Sequence, residues 1–108
     1  MTIYFGFHQE GTSDPSLTFV DPPFISISCA RDAEGVFLFS LSGIDDYSKV
    51  ALFVSPLEVE NQSSGDQVIA RVANQGNLKV LGRDSSGALS DFKMAEDVFI
   101  PMQLVIYP

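Results

Sequence analysis

Residues 2–8 read Thr2-Ile3-Tyr4-Phe5-Gly6-Phe7-His8, with a large apolar side chain at Ile3, Phe5 and Phe7. Side chains of a β-strand alternate between the two faces of a sheet, so this period of two predicts a strand with one apolar face. An amphipathic helix would instead repeat about every 3.6 residues. Because the period of two dominates the whole chain, we expect an almost entirely β-structured protein.

Further segments of this kind follow, separated by clusters of Gly, Pro, Asn, Asp and Ser. The predicted strands are residues 2–8, 17–20, 24–30, 36–41, 50–54, 57–60, 67–73, 77–81 and 98–107. Short strands joined by polar turns are typical of sandwiches and barrels. We therefore expect one domain over residues 1–108, an antiparallel β-sandwich or jelly-roll-like fold of about eight strands.

Two local features qualify this pattern. Residues 88–97 are the single helix candidate, because Ser90 or Asp91 could cap a short helix with Leu89 and Phe92 on its apolar face. Pro101 interrupts the last predicted strand, and a proline cannot donate a ladder hydrogen bond. We therefore expect at most one short helix, and an edge position or a bulge at Pro101.

The charge balance restricts the partners. Six Lys and Arg residues stand against fourteen Asp and Glu residues, for a net charge of −8. Without a basic stripe, we expect neither nucleic-acid binding nor attachment to an anionic membrane. The start of the chain lacks the basic region of a signal peptide, and no apolar run approaches the roughly 20 residues of a membrane-spanning helix. The expected location is the cytoplasm of the producing cell, or a virion.

The residues of common catalytic and metal sites are scarce. His8 is the only histidine and Cys29 the only cysteine, so zinc, haem and iron–sulfur sites lack ligands and no cofactor is expected. Cys29 is in phase with Ile25 and Ile27, which predicts a small buried side chain. A Ser-His-Asp triad would need His8, but no nucleophile motif accompanies it. We therefore expect a protein that is not an enzyme.

The loop after the fourth predicted strand is a candidate ligand loop. Asp45, Asp46 and Tyr47 lie together there, beside Ser42 and Gly43. Two adjacent carboxylates could contribute to a calcium site, but the spacing of an EF-hand does not follow. A solvated acidic turn is the simpler interpretation.

The predicted strands at 36–41, 50–54 and 98–107 have apolar residues on both faces. A strand of a sandwich needs only one apolar face. Leaving a large apolar side chain in water forfeits roughly 1.5–3 kcal/mol, and a small domain has only about 5–15 kcal/mol of net stability. Either a short helix, loops or a tightly closed barrel covers the second face, or a partner does, most simply another copy of the chain. The candidate interface residues are Val36, Leu38, Phe53, Phe99, Val105 and Tyr107.

These observations favour a non-enzymatic structural or interaction protein. It would self-associate as a homo-oligomer or dock onto a larger assembly, as a small capsid-decorating or tail component of a virus does. One alternative is a carbohydrate-binding module, with Tyr4, Tyr47 and the polar loops 45–47 and 74–77 as its site. The other is a small acidic inhibitor that occupies a basic surface of another protein.

Overall fold

The computed structural model describes residues 1–44, 46–54, 67–73, 77–84, 86–94, 96 and 99–108. Within these residues the chain forms eight strands and one short 3-10 helix. The strands are β1 (Thr2–His8), β2 (Ser16–Phe19), β3 (Ile27–Ala33), β4 (Val36–Leu41), β5 (Val50–Val54), β6 (Gln67–Ala73), β7 (Asn77–Arg83) and β8 (Ile100–Ile106). The 3-10 helix spans Tyr47–Lys49 and leads directly into β5.

The strands build two four-stranded sheets. The first sheet has the order β2-β1-β8-β5 and the second the order β3-β4-β7-β6. Every pair of neighbours is antiparallel. The predicted all-β antiparallel sandwich is therefore confirmed.

The core lies between the sheets and comes from alternate residues of their strands. In β1 the side chains of Ile3, Phe5 and Phe7 are buried while Tyr4 is exposed, as the opening alternation predicts. Phe7 meets Phe37 of the opposite sheet edge-on, with 5.4 Å between the ring centroids, a favourable geometry for two aromatic rings. The other buried members are Cys29, Phe39, Leu41, Val50, Leu78, Val80, Phe92, Met94, Ile100, Met102 and Leu104.

The helix that the sequence allowed over residues 88–97 is absent from the described part of that range, which covers residues 88–94 and 96. Leu89 instead forms an isolated bridge with Arg83, and the chain then runs across one end of the sandwich. We call residues 89–94 the crossing segment. Phe92 is 1% exposed and stacks on Phe37, with 5.5 Å between the centroids. Contacts with the sheets therefore replace the local hydrogen bonds of a two-turn helix, which is marginal by itself.

The third strand lies three residues later than predicted, at Ile27–Ala33 rather than at residues 24–30. Ala33 pairs with Val36 across a two-residue turn, and a register shift between Arg31 and Ala33 marks a bulge. The bulge lets the strand extend into the segment that its polar composition assigned to a turn. The predicted strand at 57–60 and the predicted turn at 74–76 lie outside the described residues.

Pro101 lies in an inner strand and not at a sheet edge. It pairs with Gly6 of β1, whereas the described pairing of β8 with β5 begins only at Met102. At Pro101, β8 therefore has a described neighbour on one side only. This local position accommodates a residue without an amide hydrogen.

Candidate interaction surface

The outer face of the first sheet carries a row of exposed apolar side chains. Tyr4 pairs with Gln103 and Gln103 with Phe53, while the Val20 amide donates to the Tyr4 carbonyl oxygen at 3.1 Å. The row therefore crosses the whole sheet. Val20 is 73% exposed, Tyr4 54% and Phe53 52%.

This outer face has no charged side chain among its described residues. Successive strand residues alternate between the two faces, so the outer positions are those that alternate with the core residues. None of these positions is Asp, Glu, Lys or Arg, although the exposed Lys49 borders the face, where its carbonyl oxygen accepts from the Tyr107 amide at 2.8 Å. We call this surface the uncharged face, and its residues are Thr2, Tyr4, Gly6, His8, Ser16, Thr18, Val20, Ala51, Phe53, Pro101, Gln103 and Val105.

A shallow groove crosses the uncharged face between its two aromatic rings. Its volume is about 330 Å³. Neighbouring strands lie about 4.8 Å apart, so the backbones of Tyr4 and Phe53 are separated by about 10 Å across Gln103. The lining residues are Tyr4, Phe53, Val54, Pro101, Met102 and Gln103.

Four of the six candidate interface residues lie on or beside the uncharged face. Phe53 and Val105 belong to it, and Tyr107, 51% exposed, continues the outward phase of Val105 beyond the end of β8. Phe99, 48% exposed, lies over Gly6, where an added Cβ would approach its Cδ1 atom to 3.2 Å. Its ring also packs against that of His8, with 5.5 Å between the centroids.

The other two candidates, Val36 and Leu38, lie on the outer face of the second sheet, on the opposite side of the sandwich. Both are half-buried. Leu38 pairs with Lys79, so this second face includes a cation, and Val36 pairs with Leu81, which is 8% exposed. The structure therefore divides the candidate set between two surfaces, and among the described side chains only the first surface brings several exposed aromatic residues together.

In the candidate ligand loop, the side chains of Asp46 and Tyr47 form hydrogen bonds with backbone amides of the same chain. The Asp46 carboxylate accepts from the Ser48 amide at 3.0 Å and from the Ser48 hydroxyl, and these bonds lower the pKa of Asp46. The Tyr47 hydroxyl accepts a hydrogen bond from the Leu41 amide at 3.1 Å, and the Tyr47 ring packs against the core. Asp45 lies outside the described residues. Asp46 and Tyr47 thus stabilise the conformation of the loop.

A buried polar cluster at the crossing segment is a feature that the sequence pattern did not reveal. Asp91 is 4% exposed and forms an ion pair with Arg31, whose Nη2 lies 2.9 Å from Oδ2 and whose Nε lies 3.1 Å from Oδ1. The same carboxylate accepts from Gln9 Nε2 at 3.1 Å and from the Gly35 amide at 3.2 Å. Gln9, fully buried, accepts from the Phe92 amide at 2.8 Å.

These contacts decide the ionisation of Asp91. Burial by itself would raise the pKa of this carboxyl group, but hydrogen bonds from Arg31, Gln9 and Gly35 outweigh it and lower the pKa. Arg31, held by the same carboxylate, has a raised pKa. Both carboxylate oxygens therefore have donors, and the cluster fastens the crossing segment to both sheets. A general base would instead need an oxygen directed at a substrate.

The described residues contain no group of three or more His, Cys, Asp or Glu side chains positioned to hold a metal ion. No helix in this described part of the chain is both long enough and apolar enough to span a bilayer. Comparison of the chain with protein-family models, with curated proteins and with solved structures gave no match.

Proposed function

We propose that this domain is a non-enzymatic interaction protein that associates with further copies of itself through the uncharged face. The observation that carries the proposal is an aromatic, charge-free sheet surface on a chain whose net charge is −8. Exposed apolar side chains grouped on one face are characteristic of protein interaction sites, whereas single ones are common everywhere.

Charge explains why a second copy suits this surface. Two copies at −8 repel each other over most of their surfaces, since like charges brought together without partners disfavour association. Contact through the uncharged face brings no described acidic side chain of that face against another. A two-fold axis through the sheet would place the same patch of both copies together, which is the commonest symmetry of homo-oligomers.

The size of the face sets the expected affinity. The strands β1, β2, β8 and β5 have seven, four, seven and five residues. At about 3.3 Å per residue and about 4.8 Å per strand, the face covers roughly 360 Å² per copy. Stable interfaces bury about 800 Å² per partner. We therefore expect a weak, reversible dimer with a dissociation constant in roughly the micromolar range. In a larger assembly such as a virion, many copies held close together would make such contacts effective.

Sedimentation equilibrium over roughly 5–500 µM protein, a range that brackets a micromolar dissociation constant, tests the proposal. The weight-average mass of the wild-type chain should rise with concentration. Phe53→Lys should stay folded and monomeric, because Phe53 is 52% exposed and the new charge would lie in the interface. Leu89→Lys, at a 40% exposed position at the start of the crossing segment, is the matched control and should behave as wild type. A wild-type chain that stays monomeric over this range contradicts the proposal.

The arrangement of Tyr4, Gln103 and Phe53 favours carbohydrate binding as a second candidate function. The two rings lie on either side of an amide side chain, above a shallow groove of about 330 Å³. Aromatic faces can stack against the C–H faces of sugar rings, while the amide can bond to hydroxyl groups. Titration with soluble oligosaccharides, followed by amide chemical shifts, should then perturb these residues and dissociate any dimer. Unchanged spectra would eliminate this candidate.

A further inference from the structure

The loop that follows β2 presents an unusually exposed aromatic side chain. Its residues are Val20-Asp21-Pro22-Pro23-Phe24. Phe24 is 92% exposed, more than any other large apolar side chain in the described part of the chain. The two prolines restrict the backbone of the loop, so Phe24 is presented at a small entropic cost.

An apolar groove lies directly beside this ring. Its volume is about 300 Å³, and an enclosed cavity of about 150 Å³ already admits benzene. Because Tyr4 and Val20 line this groove and also belong to the uncharged face, the two surfaces are continuous. Phe24 forms part of the wall but leaves its ring in solvent. Its lining includes Met1, Tyr4, Val20, Asp21 and Phe24.

We propose that Phe24 of one copy inserts into this groove of a second copy, and that the reciprocal insertion anchors the dimer. This inference rests on the proposed self-association and names the residue that would dominate it. A two-fold interface uses the same patch on both copies, so the patch must contain both the projecting group and the recess that receives it. Phe24 and the groove satisfy this condition because they are adjacent on one surface.

The small size of the sheet face supports the same occupant. The sheet face alone covers about 360 Å² per copy, well below the roughly 800 Å² of a stable interface. An inserted aromatic ring adds buried area at the rim of that face, and a few buried aromatic anchors commonly dominate the binding energy of an interface. Asp21 is the acidic residue of the groove lining and is exposed.

Phe24→Ala is the direct test, and sedimentation equilibrium is its measurement. We expect the dissociation constant of the dimer to increase about 30-fold or more, as for other buried anchor residues. Denaturant unfolding of the monomer should be unchanged, because Phe24 packs against almost nothing in a single copy. Leu89→Ala is the matched control and should leave the dissociation constant as it is.

A second measurement locates the ring. In an equimolar mixture of ¹³C-labelled and unlabelled chains, isotope-filtered NOEs should connect the Phe24 ring protons of one copy with the methyl groups of Met1 and Val20 of the other, which line the groove and are exposed. If the wild type dimerises but Phe24→Ala dimerises equally well, Phe24 is not the anchor, although the self-association stands. If the wild type is monomeric throughout, the proposed function and this inference both fail.

Discussion

Asp91 shows how one side chain can replace a run of regular structure. It lies on a segment that leaves the ladder after a single bridge, and its carboxylate accepts from Arg31, Gln9 and Gly35. These three partners come from different parts of the sequence. The carboxylate therefore adds to the few backbone hydrogen bonds of the crossing segment, which run from the Ser90 amide to the Gly82 carbonyl oxygen and from the Met94 amide to the Gln9 carbonyl oxygen.

Replacing Asp91 with Asn should destabilise the protein by about 3 kcal/mol at pH 7, because Arg31 and the Gly35 amide lose a charged acceptor. The figure lies at the low end for buried pairs, since the Arg31 side chain is 30% exposed. Urea unfolding monitored by circular dichroism measures it. The control Asp32→Asn, at an exposed position, should change the stability by less than about 0.5 kcal/mol.

The pH dependence of this difference follows from the lowered pKa of Asp91. An acid with a depressed folded-state pKa contributes its full stability above the unfolded value of about 3.9, and this contribution is lost as the pH falls through the folded-state pKa. The gap between wild type and Asp91→Asn should therefore be constant near neutrality and shrink below about pH 4. A gap that persists unchanged under acid conditions would mean that the ion pair contributes little.

Cys29 should be chemically inert in the folded protein. Burial, together with the negative charge of Asp14, raises the pKa of the thiol to about 12, so almost no thiolate forms at neutral pH. We expect a disulfide reagent at pH 8 to label Cys29 only as fast as the chain unfolds, with labelling accelerating in urea. Rapid labelling in native buffer would show that this thiol is accessible.

The burial and contacts of some residues can be predicted from sequence, and those of others cannot. The burial of Cys29 was predictable from its phase with Ile25 and Ile27, because strand alternation is local. The Asp91 cluster was not, because its partners Gln9 and Arg31 are 82 and 60 residues away in sequence. Such pairs depend on the tertiary packing of segments and not on any local period.

At the scale of elements, the crossing segment and the turn between β3 and β4 depend on each other through Gly35. This residue has a φ of +71°, and a Cβ there would lie 2.5 Å from the Ser90 nitrogen and 2.7 Å from the Gly82 carbonyl oxygen. A side chain would thus meet backbone atoms on two sides. The close approach of these segments therefore requires glycine.

Gly35→Ala should cost about 3 kcal/mol or more, because backbone strain and a steric clash add together. Gly43→Ala is a matched control, since Gly43 has a φ of +73° but no heavy atom within 4 Å of an added Cβ. Its cost should be about 1–2 kcal/mol, the conformational part alone. Thermal unfolding of both variants measures the difference, and equal losses would refute close packing at Gly35.

The elements themselves were largely predictable. The predicted bounds of β1, β4, β5 and β6 agree with the structure because alternating apolar residues and flanking polar turns define them. The helix predicted over 88–97 was wrong for the described residues, since Phe92 and Met94 contact the core individually rather than on one helical stripe. The predicted bounds of β3 were three residues too early, because a bulge between Arg31 and Ala33 lets the strand continue through polar residues.

For the whole molecule, sequence predicted the sandwich but not the grouping of its outer residues. Periodicity shows that Val36 and Phe53 do not belong to the ordinary core pattern. It does not show that they lie on opposite sides of the molecule. That separation comes from the order of strands in the two sheets, which long-range pairing determines.

Salt dependence distinguishes the proposed self-association from inhibition of a basic protein. Raising NaCl from about 20 mM to 300 mM shortens the Debye length from roughly 20 Å to about 6 Å. Copies that each carry −8 should then dimerise more tightly, because their mutual repulsion is screened. An acidic inhibitor would instead lose affinity for its basic target. Sedimentation at the two salt concentrations measures the first effect, and dimerisation that weakens with salt would contradict it.

The central position of β8 also has a consequence for the order of assembly. Among the strands that the structure describes, β5 pairs in the first sheet only with β8, and β1 meets β8 on the side opposite to β2. During synthesis β1 and β2 can form a hairpin early, but β5 has no place beside them until residues 100–106 leave the ribosome. Until then the first sheet is incomplete, and the aromatic residues of β1 and β5 stay exposed. Pairing between strands that are distant in sequence is also slow, which prolongs this exposure of apolar surface. Shielding of the nascent chain by a chaperone would matter most during that interval.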